Sequence, residues 1–349
     1  MHRGLLIVLN TLALLALAEG AARLAERIHP ETAGIGDITF AYSPYRMLKM
    51  TQGPWPLNRE GFRARELETY RNSFLIEFLG GSVCVGVGDD PGATVPERLE
   101  TALRKAGLAR AEVLNLCQGG ATSAEELAIF LEYGRPLHPE VVLSFDGAND
   151  LMHPRPIGDD DAPNLPYRNA QIEARVNGQD GVSHIALARV AARLAGRFRT
   201  PAPAQGPPVA ESAILDSYLD HLAAVRTLAE ADRALYAIVF QPTLHYQKPW
   251  SKAESAMWRS RRPGDGEPLT GLIRKRYGHA RDAITVWASS GGVALYDLSL
   301  TFSETAATVY SDSVHFRGPL GYQLLFADLE RQGLIERIRT RYREWESGL

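Results

Sequence analysis

Short apolar runs alternate with longer segments of helical periodicity over most of the chain, and this alternation constrains the fold more than any other feature. Strands that alternate with helices of this length are typical of parallel β-α-β units. We therefore predict an α/β fold, a three-layer α/β/α sandwich with a mostly parallel sheet. The predicted strands are 74–79, 113–116, 141–145, 236–240 and 292–297, and the predicted helices are 94–106, 123–133, 183–197, 211–232, 269–289 and 318–346.

Composition excludes several classes of protein. The chain has 349 residues, of which 45% are hydrophobic and 23% charged, and its formal net charge is -3. This apolar content supports a large core and excludes wholesale disorder. The near-neutral charge lacks the basic surface of nucleic-acid-binding proteins, so we expect no nucleic-acid partner. The two cysteines, Cys84 and Cys117, cannot form a disulfide scaffold, a four-cysteine zinc site or a Cys-x-x-Cys redox centre.

The N-terminus carries an almost wholly apolar run over residues 4–18, which Glu19 ends. This run is shorter than the roughly 20 residues of a membrane span. It fits the core of a secretory signal, and 16–18 resembles a small-x-small cleavage site. The helical pattern continues to Ile28, however, which favours an uncleaved anchor. We expect 1–28 to be a signal anchor in the inner membrane, with the remaining chain periplasmic or otherwise extracytoplasmic. One alternative is that the signal is cleaved and the protein is secreted. The other is that the segment is a buried helix of a cytosolic protein.

The remaining sequence divides into a polar lead-in and one large domain. Residues 29–72 lack regular periodicity, so we expect an irregular segment there. Residues 73–349 contain all the predicted strands and form the domain. The poorly patterned stretch 151–210 includes the acidic run Asp159–Asp161 and a Pro-rich segment, which indicates an insertion with a flexible linker.

A glycine-rich segment, GGSVCVGVG at 80–88, follows the first predicted strand. It lacks the lysine of a phosphate-binding loop, and Pro91 occupies the third glycine position of a dinucleotide fingerprint. Cys84 occupies the last glycine position of the Gly-x-Ser-x-Gly nucleophile elbow. What remains is Ser82 on a tight turn at the carboxyl end of a strand, where open α/β sheets bind ligands. The alternative is that Ser82 only caps the following helix.

Two further strand ends and one C-terminal motif supply partners for this serine. Gly119-Gly120 and the segment containing Asn149 end the second and third strands, which places a backbone amide and a carboxamide near Ser82. Acyl-transfer enzymes use such donors to stabilise an oxyanion. Asp312 and His315 are three residues apart, so the carboxylate can orient the imidazole as a base.

Together these motifs resemble the SGNH (GDSL-type) hydrolase family, in its N-terminally anchored bacterial form, over about residues 57 to 335. The family fold is flavodoxin-like. The resemblance implies that Ser82 is the nucleophile, that His315 is its base and that Asp312 orients His315. It also implies an oxyanion hole formed by the amides of Ser82 and Gly120 and the side chain of Asn149, with Gly119 as the alternative to Gly120. Gly81 replaces the aspartate of the Gly-Asp-Ser signature, as in many anchored relatives.

The resemblance also implies a function. We expect a serine esterase that acts, through an acyl-enzyme on Ser82, on ester groups of an extracytoplasmic carbohydrate, with O-acetyl as the expected acyl group. The alternatives are an O-acyltransferase with the same residues and an inactive envelope scaffold or binding protein. No metal or organic cofactor is expected.

Two pairs of residues have open interpretations. Trp250 and Trp258, together with the insertion, are candidates for sugar contact because aromatic faces suit sugar rings, and the alternative for both is packing. Cys84 and Cys117 lie beside the first and second motifs, on neighbouring strand ends. Two buried free thiols are the simpler expectation, and a disulfide is the alternative in an oxidising compartment.

Overall fold

A computed structural model describes residues 2–28, 38–43, 46–87, 94–152, 211–261 and 266–348. Five of its strands form one sheet in the order β4-β3-β5-β6-β7, and every neighbouring pair is parallel. The other two strands pair as an antiparallel hairpin. The strands are β1 (Thr39–Ser43), β2 (Met47–Gln52), β3 (Phe74–Gly80), β4 (Ala111–Asn115), β5 (Val141–Asp146), β6 (Leu235–Phe240) and β7 (Ala294–Asp297).

Helices cover both faces of this sheet, which confirms the predicted three-layer α/β/α architecture. The helices are α1 (His2–Ile28), α2 (Ser82–Val85), α3 (Val95–Lys105), α4 (Ser123–Ile129), α5 (Ala148–Leu151), α6 (Glu211–Ala231), α7 (Lys252–Arg261), α8 (Gly266–Gly291), α9 (Pro319–Arg331) and α10 (Leu334–Ser347). One core packs α3, α9 and α10 against the sheet, and the other packs α4, α6 and α8 against the opposite face.

The helix boundaries follow local sequence signals. Thr94 and Glu97 form a capping box at the start of α3, and Thr122 and Glu125 form another at the start of α4. Such boxes satisfy backbone amides that a helix leaves unpaired at its first turn. The single helix expected over 318–346 is instead two helices, because Gly333 adopts a positive φ of 87° between them.

The hairpin of β1 and β2 corrects the expectation of an irregular lead-in. Phe40, Leu48 and Met50 alternate with more exposed residues and are buried in the core. The Phe40 ring lies against Gly119, where a Cβ atom would be 3.3 Å from Cζ of the ring. The hairpin therefore packs beside the second motif.

Where its side chains are described, the N-terminal helix α1 is largely exposed to solvent. Leu14, Leu15, Leu17 and Leu24 are each at least half exposed. Among the residues that the structure describes, no helix combines the length and the apolar character needed to cross a membrane. The predicted insertion falls almost entirely in residues 153–210, outside the described ranges, as do Asp159–Asp161 and the helix expected at 183–197.

Candidate active site

The candidate nucleophile, Ser82, is the first residue of α2, directly after β3 and the Gly80-Gly81 pair. Because β3 lies between β4 and β5, its carboxyl end is flanked by the carboxyl ends of both neighbours. The α2 turn ends at Gly86, which has a φ of 84°, and a Cβ atom there would overlap Thr94. The fold thus places Ser82 at the strand edge where the sequence predicts it.

The predicted base reaches this serine from the far end of the chain. The Nε2 atom of His315 is 2.7 Å from the Ser82 hydroxyl oxygen, and its Nδ1 atom is 2.7 Å from Oδ2 of Asp312. The other carboxylate oxygen of Asp312 accepts hydrogen bonds from the amides of Val314 and His315, at 2.8 and 2.7 Å. The carboxylate is therefore fixed within its own loop as well as against the imidazole ring.

The electrostatics favour a working acid–base pair. Burial by itself would raise the pKa of Asp312, but the adjacent His315 and the amide donors outweigh burial and lower it to about 2. An ionised Asp312 requires the proton of a neutral His315 to lie on Nδ1, so we assign that tautomer. Nε2 is then free of a proton and can accept the one on the Ser82 hydroxyl.

Asn149 lies directly over the backbone before the serine. Its Nδ2 atom donates a hydrogen bond of 2.6 Å to the carbonyl of Ala121, which fixes the orientation of the carboxamide. A Cβ atom on Gly81 would lie only 2.5 Å from Nδ2 of Asn149. A side chain at position 81 would therefore have to displace the carboxamide of Asn149.

The two glycines of the second motif have different surroundings. Gly120 is exposed and has a φ of 78°, a left-handed conformation that favours glycine. Gly119 is buried beneath the ring of Phe40. Gly120 and Asn149 thus lie in segments joined by the bond from Asn149 to Ala121, and the assignment of Gly120 over Gly119 as the amide donor stays a prediction.

Buried acidic groups behind Asn149 were missed by the sequence reasoning. Asp150 accepts hydrogen bonds from the Ser123 amide, at 3.1 Å, and from its hydroxyl, at 2.7 Å. Burial, followed by repulsion from Asp146, raises the pKa of Asp150 to about 7. Two sets of hydrogen bonds, between Asn149 and Ala121 and between Ser123 and Asp150, connect the second and third motifs. The sequence signal for this group was Asp150, which directly follows Asn149. Its partner Ser123 lies on a different strand connection, so the sequence did not show that the two residues meet.

Asp146, at the end of β5, belongs to the same buried group. It accepts a hydrogen bond from the hydroxyl of Tyr218. Burial raises the pKa of Asp146 and, with repulsion from Asp146, raises that of Glu126 well above its usual range. Burial therefore opposes the ionisation of these carboxyls, which lie together behind Asn149.

Cys84 and Cys117 form a disulfide, with Cα atoms 5.8 Å apart. The expectation of two free thiols was wrong. The bond joins α2, which carries Ser82, to the residues that follow β4 and lead to the glycine pair. Gly80 leaves room for it, since a Cβ atom there would lie 2.9 Å from Cβ of Cys84. The first and second motifs are thus covalently connected.

Of the two tryptophans proposed for sugar contact, Trp258 packs inside the structure, and the sugar contact of Trp250 stays a prediction. Trp258 lies within α7, is buried, and contacts the ring of His245 edge-on with centroids 4.4 Å apart. Trp250 is half-buried and donates its indole N–H to the carbonyl of Leu244 at 2.7 Å. His245 is buried too, and burial lowers its pKa to about 4, so it is neutral near pH 7.

Of the histidines in the described ranges, His315 is the one that bonds to Ser82. His221 contacts the hydroxyl of Ser123 at 3.0 Å. His279 pairs with Glu211 on the surface, at 2.7 Å, and His153 lies outside the described residues. Within the described ranges, no group of three or more His, Cys, Asp or Glu side chains is arranged to hold a metal ion.

Comparison with known proteins gives likenesses in structure only. No family model matches the chain, and no curated protein matches it in sequence. A protein from Desulfitobacterium hafniense, described as lipolytic and of the G-D-S-L family, is similar at 12% identity and a TM-score of 0.43, over 74% of this chain and 99% of that one. An acetyl xylan esterase is similar at 13% identity and a TM-score of 0.45, over 74% and 99%.

A protein from Bacteroides fragilis, described as an acylhydrolase, is similar at 13% identity and a TM-score of 0.41, over 81% of this chain and 90% of that one. GDSL-type proteins are thus among the structures that the chain resembles, in keeping with the sequence motifs. Because every TM-score quoted is below 0.5, the roles of Ser82, His315 and Asn149 rest on the geometry of this chain.

Proposed function

We propose that this protein is a serine esterase that forms an acyl-enzyme on Ser82. The observation that carries the proposal is the unbroken series of hydrogen bonds from Asp312 to His315 to Ser82, between residues 233 positions apart. A nucleophile, a base and an oriented carboxylate at these distances are the parts that ester cleavage by serine enzymes requires.

The chemistry follows from these positions. Ser82 Oγ attacks the carbonyl carbon of the ester while its proton passes to Nε2 of His315. The carbonyl oxygen becomes an oxyanion, for which the second N–H of Asn149 and the amides of Ser82 and Gly120 are the proposed donors. His315 then gives its proton to the leaving alkoxide, which departs as an alcohol. Water then attacks the acyl carbonyl carbon while its proton passes to Nε2 of His315. The bond between the acyl carbon and Ser82 Oγ breaks, His315 returns the proton to Oγ, and the carboxylic acid leaves.

The direct test measures hydrolysis of p-nitrophenyl acetate and covalent labelling by a fluorophosphonate. We expect the wild type to do both and Ser82→Ala to do neither. Ser290→Ala, at an exposed position near the end of α8, is the matched control and should behave as wild type. An inert, folded wild type, or labelling that persists in Ser82→Ala, would exclude the mechanism.

For the substrate, we propose O-acetyl groups on a carbohydrate of the cell envelope. The resemblance to anchored bacterial SGNH proteins supports this class. Hydrolysis and acyl transfer use the same five residues and differ only in the group that accepts the acyl chain. Incubation with an acetyl donor and oligosaccharide acceptors separates them: free acetate in every case supports the esterase, and acetylated oligosaccharide supports an acyltransferase.

We also propose that the domain works outside the cytoplasm. The disulfide between Cys84 and Cys117 supports this location, because such bonds persist mainly in oxidising compartments. The apolar run at 4–18 supports export, with retention at the inner membrane as the proposed outcome. Fractionation tests both points: intact protein beginning at Met1 in a membrane fraction supports the anchor, a shortened soluble protein supports signal cleavage, and protein confined to the cytoplasm excludes export.

A further inference from the structure

A buried ion pair lies close to the loop that carries Asp312 and His315, and the mechanism makes no direct use of it. The Nζ atom of Lys248 is 2.9 Å from Oε2 of Glu254. Their side chains are 1% and 0% exposed. We call these two residues the clamp. Removing two charges from water is costly, and well-packed apolar residues often stabilise a fold at least as well. The hydrogen bonds of the clamp therefore indicate what it does.

The lysine binds the segment that leads into the base loop. Nζ of Lys248 donates to the carbonyl of Thr305 at 3.1 Å and to that of Ala307 at 3.0 Å. It also lies 3.0 Å from the carbonyl of Pro249, its own neighbour. Carbonyls of an irregular segment have no strand or helix partner, so an ammonium group with several donors can fix their direction.

The glutamate binds two residues that follow in the same segment. Oε1 of Glu254 accepts hydrogen bonds from the amides of Val309 and Tyr310, each at 3.0 Å. Oε2 also accepts from the Ser251 amide at 2.8 Å. Burial alone would raise the pKa of Glu254, but these donors and Lys248 outweigh it and lower the pKa. Both members of the clamp thus have backbone partners in the same segment.

The residues after Tyr310 form the base loop, 311–315, whose two ends are bonded to each other. The amide of Ser311 donates to the carbonyl of His315 at 2.8 Å. The middle of the loop is bonded to the strand connection that precedes the clamp, because the Leu244 amide donates to the carbonyl of Ser313 at 3.0 Å. A shift of segment 305–310 would therefore move the loop as a unit.

We propose that Lys248 and Glu254 are positioning residues that keep Asp312 and His315 within hydrogen-bonding distance of Ser82. The inference rests on the proposed function, and it adds two residues that contact neither the ester nor the reacting atoms. They act through the backbone of 305–310, which connects them to the base loop.

The test compares Lys248→Met, Glu254→Gln and the double variant Lys248→Met/Glu254→Leu. The double variant leaves no unpaired buried charge, so it keeps the test valid if a single variant fails to fold. We expect the kcat of the folded double variant to fall about tenfold or more and its KM to change less than about threefold. The reason is that the substitutions disturb the catalytic geometry and leave substrate binding intact. Fluorophosphonate labelling should slow in parallel.

The pH profile separates positioning from a loss of folded protein. We expect the acid limb of the kcat/KM profile to shift in the variants, because the contact between Asp312 and the base is disturbed. The control is Arg135→Met/Asp232→Leu, which removes a bidentate ion pair at the amino ends of β5 and β6. It should lower stability and leave both kcat and the pH profile unchanged.

Two results would overturn the proposal. One is a double variant with wild-type kcat and pH profile, and the other is activity that falls only with the fraction of unfolded protein. Failure of the proposed function has a different signature, since the wild type itself would then neither hydrolyse the ester nor react with the probe.

Discussion

The two sides of the candidate site are fixed by different kinds of bond. On the nucleophile side, which comprises α2 and the glycine motifs, a disulfide and close backbone packing around Gly81 set the geometry. On the base side, which comprises loop 311–315, hydrogen bonds and the Lys248–Glu254 clamp do so. The nucleophile side is built on the sheet, whereas the base side is an irregular segment with no sheet partner at its loop. The comparison teaches that charged, directional partners hold the irregular segment, whereas close packing and one covalent bond hold the strand ends.

Asp312→Asn tests the base side and should have the largest effect. The amide can still accept from the Val314 and His315 backbone, but its N–H₂ favours the imidazole tautomer with a proton on Nε2, which cannot accept the serine proton. We expect a loss of about 10⁴-fold in kcat with little loss of stability. Steady-state hydrolysis of p-nitrophenyl acetate measures it, with Asp232→Asn as a control. A loss below about tenfold would contradict the assigned role of Asp312.

Gly81→Ala tests the nucleophile side. The backbone there, at φ −88° and ψ −159°, accepts any residue, so the added methyl group acts only through its overlap with Asn149. We expect kcat to fall by about 10²- to 10³-fold, the usual effect of losing one oxyanion donor.

Asn149→Ala and the double variant complete this measurement. Because both substitutions remove the same donor, the double variant should lose little more than either single one. Additive losses would show that Gly81 acts on something other than Asn149. Gly271→Ala, at an exposed helical glycine of α8 with open space around its Cβ position, controls for a general effect of the added methyl group.

Cys84→Ser/Cys117→Ser sharpens the comparison in terms of stability. The disulfide closes a separation of 33 residues, for which the chain-entropy model gives about 3 to 4 kcal/mol of stabilisation. We expect the urea midpoint to fall accordingly, with activity retained below the transition. Reduction of the unfolded wild type should reproduce the shift, and an unchanged midpoint would mean that the two thiols are not joined in solution.

Glu77→Gln should have the smallest effect and extends the comparison to carboxyls without partners. Glu77 lies in β3, fully buried, and neither carboxyl oxygen has a hydrogen-bond partner within the described part of the chain. Burial raises its pKa well above the usual range. The folded state thus keeps a proton that the unfolded chain releases above about pH 4.3, so Glu77 lowers stability progressively as pH rises toward its native pKa.

The measurement for Glu77 is the free energy of unfolding in urea at pH 5 and at pH 8. We expect Glu77→Gln to gain about 1 to 3 kcal/mol relative to wild type at pH 8 and less at pH 5. Asp150 adds the same direction of pH dependence up to about pH 7 in both proteins, so only the difference between them reports on Glu77. An equal gain at both pH values would contradict the buried, protonated Glu77.

The strands of the five-stranded sheet were predictable because parallel strands covered on both faces appear in the sequence as apolar runs. All seven residues of Phe74–Gly80 are buried, and the predicted strand missed only the last of them. Ser82 and His315 were predictable because motifs at strand ends meet at one edge of a parallel sheet. The structure contains the hydrogen bond between Ser82 and His315 and the one between His315 and Asp312. The catalytic roles of the three residues stay predictions.

Other features left no pattern in the sequence. The hairpin was missed because its strands have only five and six residues, so the alternation at Phe40, Leu48 and Met50 is too short to stand out in an irregular segment. The clamp was missed because Lys248 and Glu254 flank the start of a helix, where a lysine and a glutamate are ordinarily solvated. Only tertiary packing against 305–310 removes them from water.

The separation of Ser82 and His315 along the chain has a consequence for synthesis. A nascent chain that has left the ribosome as far as Asp297 already includes every strand of the five-stranded sheet and the serine, but it has no base. It gains one only when the segment through His315 emerges and docks at the edge of the sheet. In the proposed mechanism, the order of translation therefore keeps the growing polypeptide unreactive toward esters until this segment has docked.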